Sequence, residues 1–159
     1  MLQDLTIEQL YRFDANCRRA RIGFRSKYSH NDVLLELRQR HSAFSEMYEE
    51  VLHEIRSAPD HLITYLDVWN LFHPGRPWVW RKSNKAVKQI LDDIIRYCVL
   101  NSLPIITARV VCRNQLRPGD KAAENIYLRC QQLHVPVGSS ANLFVAQQMS
   151  DTLSMLAKQ

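Results

Sequence analysis

The feature that most constrains this chain is the stretch from residue 31 to residue 57, which contains neither glycine nor proline. Apolar residues recur along it at alternating separations of three and four, a heptad spacing that predicts one long amphipathic helix. The apolar members of this seam are Leu34, Leu37, Phe44, Tyr48, Val51 and Ile55, and His41 is its one polar position. Such a helix either pairs with its copy in a second chain, which gives a homodimer through these residues, or docks within its own chain.

The composition excludes disordered and membrane-spanning proteins. Hydrophobic residues make up 46% of the 159-residue chain and only four residues are glycine, which is typical of a folded domain. No apolar run approaches the roughly 18 residues that a membrane span needs. The opening MLQDLTIEQL is acidic and lacks the basic start and apolar stretch of a secretory signal. We therefore expect a cytoplasmic protein without a membrane partner.

Residues that could carry chemistry are scattered along the sequence. The four cysteines are far apart in the sequence and form no CxxC pair, so we interpret them as reduced structural thiols. The sequence contains no HExxH, GxSxG or GxGxxG motif and no phosphate-binding GxxxxGK motif. We expect no catalytic residue, no metal and no cofactor, and therefore no enzyme.

Basic residues lie in two local clusters on either side of an acidic segment, within a chain of net charge +5. The first cluster contains Arg18, Arg19, Arg21 and Arg25, and the second contains Arg76, Arg81, Lys82, Lys85 and Lys88. Such clusters attract phosphate backbones and release counterions on binding. The alternative is a solvated basic surface with no ligand. As the partner we expect nucleic acid, and DNA rather than RNA.

Helix signals and chain breakers divide the sequence into an N-terminal helical segment, 1–57, and an α+β domain, 58–159. Thr6 and Gln9 predict a capping box that opens a helix ending near residues 22–23. In the second domain the predicted order is a short strand at 63–65, a helix to residue 72, a loop, a basic helix at 83–100, a strand within 105–112, and helices at 120–133 and 141–156. The basic helix is expected to begin at a Ser83 or Asn84 cap. Its apolar residues are spaced to make one continuous face, formed by Ala86, Val87, Ile90, Leu91, Ile94, Ile95 and Cys98.

This order predicts a mainly α fold with a small β element. Its core resembles the helix-turn-helix or winged-helix plan, and a long N-terminal amphipathic helix is added to it.

The loop HPGRPWVWRKS places two tryptophans beside cationic residues. If residues 77–81 are extended, Trp78 and Trp80 lie on one face, which could be buried while Arg76 and Arg81 remain in solvent. Exposed rings would instead form a stacking platform for bases or the hot spot of a protein interface.

Three segments within residues 62–112, ITYLDVWNLF, NKAVKQI and NSLPIITARVV, resemble the winged-helix DNA-binding domain of alkylguanine-DNA alkyltransferases and alkyltransferase-like proteins. The resemblance implies the scaffold and its nucleic-acid-facing helix. Thr107 stands where that family has its alkyl-accepting cysteine, and Lys85 where it has the arginine inserted into the base stack. Because threonine cannot supply a thiolate, the resemblance implies no transfer chemistry.

A second resemblance covers residues 103–119, LPIITARVVCRNQLRPG. This stretch is similar to a segment of uncharacterised bacterial and phage proteins, some of which are associated with nuclease-based defence.

Two functions follow as hypotheses. The first is a non-enzymatic nucleic-acid-binding protein that uses the helix at 83–100 and the loop before it. The alternative is a protein-interaction module, such as an inhibitor, adaptor or antitoxin-like partner in bacterial or phage defence and counter-defence, with Trp78 and Trp80 as its hot spot.

Overall fold

The computed structural model describes residues 1–19 and 28–158, without the side chains of Ala15, Arg18 and Arg19. In these ranges the elements are α1 (Ile7–Arg19), α2 (His30–Ser57), β1 (Ile63–Thr64), α3 (Tyr65–Phe72), α4 (Trp80–Leu100), β2 (Val110–Val111), α5 (Asp120–Gln132) and α6 (Ala141–Leu156). Short 3-10 helices lie at Leu2–Asp4, Pro59–His61 and Ile106–Arg109. The fold is mainly α with a small β element, as predicted. Within the described ranges, no helix has the length and apolar character to cross a membrane.

The chain forms two compact units, Met1–Phe44 and Ser45–Gln159, and α2 contributes residues to both. The division drawn from the sequence lies instead at residue 57, where α2 ends.

The first unit contains the predicted capping box at the start of α1. The Thr6 amide donates to Gln9 Oε1 at 2.7 Å, and the Gln9 amide donates to Thr6 Oγ1 at 3.2 Å. Leu10 is fully buried, and the Arg40 guanidinium of α2 donates to the Leu5 carbonyl oxygen at 2.6 Å. The helix end expected at residues 22–23 lies outside the described residues.

Most of the heptad seam of α2 is covered within the single chain. The buried members are Leu37, Phe44, Tyr48, Val51 and Ile55, and the half-buried ones are Leu34 and His41. Tyr48, Val51 and Ile55 belong to the hydrophobic core of the second unit. A side chain packed in its own core cannot pair with a second chain at the same time, so docking within the chain accounts for these three. Homodimerisation stays a prediction.

Helix α4 supplies the centre of the second unit's core. Val87, Leu91, Ile94, Ile95 and Cys98 are buried at helical spacing and form the apolar face that the sequence predicted. Apolar residues of α2, α3, α5 and α6 pack in the same core. The basic face of α4 is therefore held on a packed scaffold.

Helices α5 and α6 lie where they were predicted to within one residue. Phe144 and Val145 of α6 are buried, and Met149 is half-buried. Leu153 is exposed, whereas its neighbour Thr152 is fully buried. The Thr152 hydroxyl can be buried because it donates to the Gln148 carbonyl oxygen at 2.8 Å.

The strand predicted within 105–112 is wrong for most of its length. Ile106–Arg109 is a 3-10 helix, and only Val110–Val111 forms a strand, which pairs in parallel with Ile63–Thr64. Residues 105–111 are all buried, so their β-branched side chains reflect complete burial and not a long ladder. Because β1 offers only two residues for pairing, the ladder ends there.

Arg109 fixes the 3-10 helix at Ile106–Arg109 to two other parts of the second unit. Its side chain is 6% exposed, and its guanidinium donates to the Met149 carbonyl oxygen at 2.8 and 3.1 Å and to the Asp60 carbonyl oxygen at 3.3 Å. Burial lowers the pKa of this arginine. The backbone carbonyl oxygens replace the hydrogen bonds to water that the buried guanidinium loses.

Candidate nucleic-acid interface and adjoining cleft

Helix α4 begins earlier than the sequence predicted. Its first residue is Trp80 and its N-cap is Val79, so the prediction of a cap at Ser83 or Asn84 is wrong. Ser83 is instead fully buried inside the first turn, where its Oγ accepts a hydrogen bond from the Val79 amide at 2.8 Å. This side chain satisfies an amide that a helix start leaves unpaired. The serine therefore stabilises the start of the helix from within it.

All the cations predicted on α4 and its preceding loop are exposed; they are Arg76, Arg81, Lys82, Lys85 and Lys88. Arg81, Lys85 and Lys88 follow one another at separations of four and three, so they lie on the same side of the helix. The first turn of α4 contains no acidic residue. Because a helix N-terminus already attracts anions, this end of α4 is suited to phosphate groups.

The loop between α3 and α4 is held by aromatic packing on Trp69, which is buried. Its indole Nε1 donates to the Arg76 carbonyl oxygen at 2.9 Å, and the His73 ring stacks on the indole with centroids 4.0 Å apart. Gly75 has a φ of +73°, a conformation that side chains disfavour. These contacts fix the backbone that carries Arg76.

The two tryptophans of this loop differ in exposure. Trp78 is half-buried and packs edge-on against Trp69, with ring centroids 6.0 Å apart. Trp80 is 71% exposed, beside Val79 at 52%. Of the two arrangements left open by the sequence, one buried face with both tryptophans does not occur, because Trp80 already belongs to α4 and lies off its buried side. Trp78 braces the loop, whereas Trp80 is available for contact.

A cleft of about 640 Å³ adjoins this basic face, between α4 and α5. The start of α3 and the 3-10 helix at Ile106–Arg109 complete its wall. Its charged lining residues are Arg81, Lys85, Lys88, Arg129 and Asp92. Its apolar and aromatic lining residues include Tyr65, Trp80, Leu91, Ile95 and Ile126. Four cations against one acid give the cleft a positive character.

The single carboxylate of the cleft is already neutralised by arginines. Asp92 Oδ1 lies 2.8 Å from Nε of Arg129, and Asp92 Oδ2 lies 3.1 Å from Nη2 of Arg96. The first of these ion pairs joins α5 to α4. Because two guanidiniums surround this carboxylate, it does not cancel the positive potential of the exposed cations.

The hydroxyl groups of Thr107 and Tyr65 give the cleft hydrogen-bonding groups in addition to its cations. Thr107 is 2% exposed and lines the cleft, and its buried Oγ1 has no hydrogen-bond partner among the residues that the structure describes. A buried hydroxyl without a partner is costly, which makes it a ready contact for a ligand. Burial, with a smaller contribution from Cys112, raises the pKa of Tyr65, so its phenol stays a neutral hydrogen-bonding group.

The structure brings together only part of the predicted site. The cations of α4 and its loop share one exposed region, whereas Arg21 and Arg25, and the side chains of Arg18 and Arg19, lie outside the described residues. The sequence reasoning missed Arg129, which is an isolated cation in an amphipathic helix and carries no local signal.

Comparison with protein-family models, with curated proteins and with solved structures finds no match to this chain. Its function is therefore inferred from the residues and geometry of this site.

Proposed function

We propose that this protein is a non-enzymatic DNA-binding protein, in which α3 and α4 form a helix-turn-helix unit related to the winged-helix plan. The observation that carries the proposal is the exposed basic surface formed by Arg76, Arg81, Lys82, Lys85 and Lys88 at the N-terminal end of α4. In such a unit the second helix enters the major groove with its N-terminal residues at the base edges.

The residues of this surface take different roles in the proposal. Lys82, Lys85 and Lys88 contact phosphates or base edges, while Arg76 and Arg81 hold the flanking backbone. Arg76 suits this role because its loop is fixed by the Trp69 hydrogen bond. The cluster Arg18, Arg19, Arg21 and Arg25 adds affinity that does not depend on sequence.

The resemblance to the alkyltransferase DNA-binding domain also supports α4 as the helix that contacts DNA. The segment NKAVKQI forms part of α4, and Thr107 lies in the 3-10 helix at Ile106–Arg109. The small sheet pairs in parallel and is not a hairpin, so the support for a winged-helix relative comes from the helix pair α3 and α4.

Charge reversal on α4 tests the proposal in a titration of a fluorescein-labelled duplex followed by anisotropy. The test variant carries Lys82→Glu, Lys85→Glu and Lys88→Glu. A matched control carries Arg113→Glu, Arg117→Glu and Lys121→Glu, which are exposed cations outside α4 and its loop. Each variant changes the net charge by the same six units, from +5 to −1.

We expect the α4 variant to lose duplex binding by at least about a hundredfold and the control to lose much less. Equal losses in both variants would show that only the total charge matters, and unchanged binding in the α4 variant would exclude this surface. Light scattering after size exclusion, with and without duplex, measures the proposed homodimer in the same samples.

A protein-interaction module is the second candidate, and the exposure of Trp80 beside Val79 favours it. An exposed tryptophan next to arginine is typical of an interface hot spot. A pull-down from nuclease-treated lysate that recovers one stoichiometric protein, and loses it with Trp80→Ala, would support this function. Loss of all partners on nuclease treatment favours DNA binding.

A further inference from the structure

The cleft between α4 and α5 has the features of a ligand site in its own right. Its volume of about 640 Å³ falls within the range of roughly 300–1,000 Å³ that is usual for small-molecule sites. It combines an apolar wall, two aromatic side chains, a positive edge and a buried hydroxyl that has no partner among the described residues. All these residues lie in the second unit.

We propose that this cleft binds a free nucleoside monophosphate, with the base against the apolar wall and the phosphate at Arg81 and Lys85. The expected ligand follows from the lining residues. The cations require an anionic group, and Arg81 can bind a phosphate through two hydrogen bonds. Tyr65 and Trp80 suit a flat aromatic ring, which they can contact face-on or edge-on.

Thr107 supplies the contact that distinguishes a base from a plain aromatic ring. Its hydroxyl can donate to a ring nitrogen or carbonyl oxygen and can accept from an exocyclic amine. A fatty acid would leave this group unsatisfied, and a sugar phosphate would not use the aromatic side chains. Arg109 holds the 3-10 helix that carries Thr107, so the hydroxyl has a fixed position before the ligand arrives.

The same residues connect the cleft to the proposed DNA surface. Arg81, Lys85 and Lys88 line the cleft and also belong to the basic surface of α4. A nucleotide held by these cations removes them from a duplex, so nucleotide and DNA compete. This regulatory consequence rests on the proposed function, whereas nucleotide binding itself does not.

The first measurement is calorimetric titration of the full chain, without DNA, with AMP, GMP, CMP and TMP. Inorganic phosphate and adenosine serve as partial ligands. We expect at least one nucleotide to bind with a Kd below about 100 µM, and at least tenfold more tightly than either partial ligand. Equal binding of phosphate alone, or of adenosine alone, would overturn the proposal, as would the absence of nucleotide binding at 1:1 stoichiometry.

Variants then locate the binding. Thr107→Val keeps the shape of the side chain and is expected to raise the nucleotide Kd about five- to tenfold. Lys85→Gln is expected to raise it by a similar factor, while Lys121→Gln, which changes an exposed lysine of α5 that does not line the cleft, leaves it within about twofold. Ala122→Phe places a ring in the cleft from α5 and should abolish binding. Circular dichroism confirms that each variant is folded.

Equal effects of Lys121→Gln and Lys85→Gln, or full binding by Ala122→Phe, would place the nucleotide elsewhere and overturn the proposal. Competition with DNA is read separately. At a nucleotide concentration ten times its Kd, the apparent duplex Kd should rise about tenfold. If the nucleotide binds but no duplex does, the proposed DNA function fails and the nucleotide site stands. If duplex binds and no nucleotide does, the nucleotide site fails and the proposed DNA function stands.

Discussion

The salt dependence of duplex binding can be predicted from the exposed cations of α4 and its loop. The five cations of the proposed DNA surface, Arg76, Arg81, Lys82, Lys85 and Lys88, are all exposed. With about 0.9 counterions released per phosphate contact, the slope of log K against log salt concentration is expected to be about −4.5 if all five take part. Raising the salt from about 50 to 200 mM should then weaken binding about 500-fold.

Variants that neutralise one cation at a time test this slope residue by residue. Lys85→Gln is expected to reduce the magnitude of the slope by about 0.9, to about −3.6, because one phosphate contact is lost. Lys121→Gln is the control, since this exposed lysine lies on α5 and outside the proposed surface. Anisotropy titrations at four or five salt concentrations give both slopes. A wild-type slope near zero, or equal changes for the two variants, would refute the assignment of these cations to phosphate contacts.

Four further predictions concern the scaffold of the second unit. Ile94→Ala removes a fully buried side chain from the centre of α4 and should lower the free energy of unfolding by about 3 kcal/mol in urea titrations. Thr64→Ala removes the side chain that accepts from the amide at the third position of α3, and should cost about 1 kcal/mol by the same assay. In native protein at pH 8, iodoacetamide should modify exposed Cys112 and spare buried Cys98 and Cys130. Because burial raises the pKa of both buried thiols to about 12 from an ordinary 9.0, stability should fall as the pH rises from about 9 to 12, where only the unfolded chain loses these protons.

The sequence predicted elements whose signals are local. The capping box of Thr6 and Gln9, the apolar face of α4 and the bounds of α5 and α6 depend on neighbouring residues, and the structure contains them. The exposure of the α4 cations was also predictable, because charged residues opposite a continuous apolar face remain in solvent.

The sequence could not predict features that depend on distant residues. Ile106–Arg109 reads as a strand from its composition but is a 3-10 helix, and the two residues of the distant strand β1 pair only with Val110–Val111. The exposure of Trp80 depends on the start of α4, which lies upstream of the predicted cap and is stabilised by the hydrogen bond from the Val79 amide to Ser83 Oγ. The cleft joins residues as far apart as Tyr65 and Arg129, and no spacing in the sequence indicates that they meet.

The most direct test of the account is an NMR titration of ¹⁵N-labelled protein with a short duplex. If the start of α4 and its loop bind DNA, the amide shifts should change most strongly at residues 76–89, which carry Arg76, Arg81, Lys82, Lys85 and Lys88. The changes should saturate with duplex concentration and weaken with added salt. Saturable changes confined to α6, or spectra that the duplex leaves unchanged at low salt, would contradict the account.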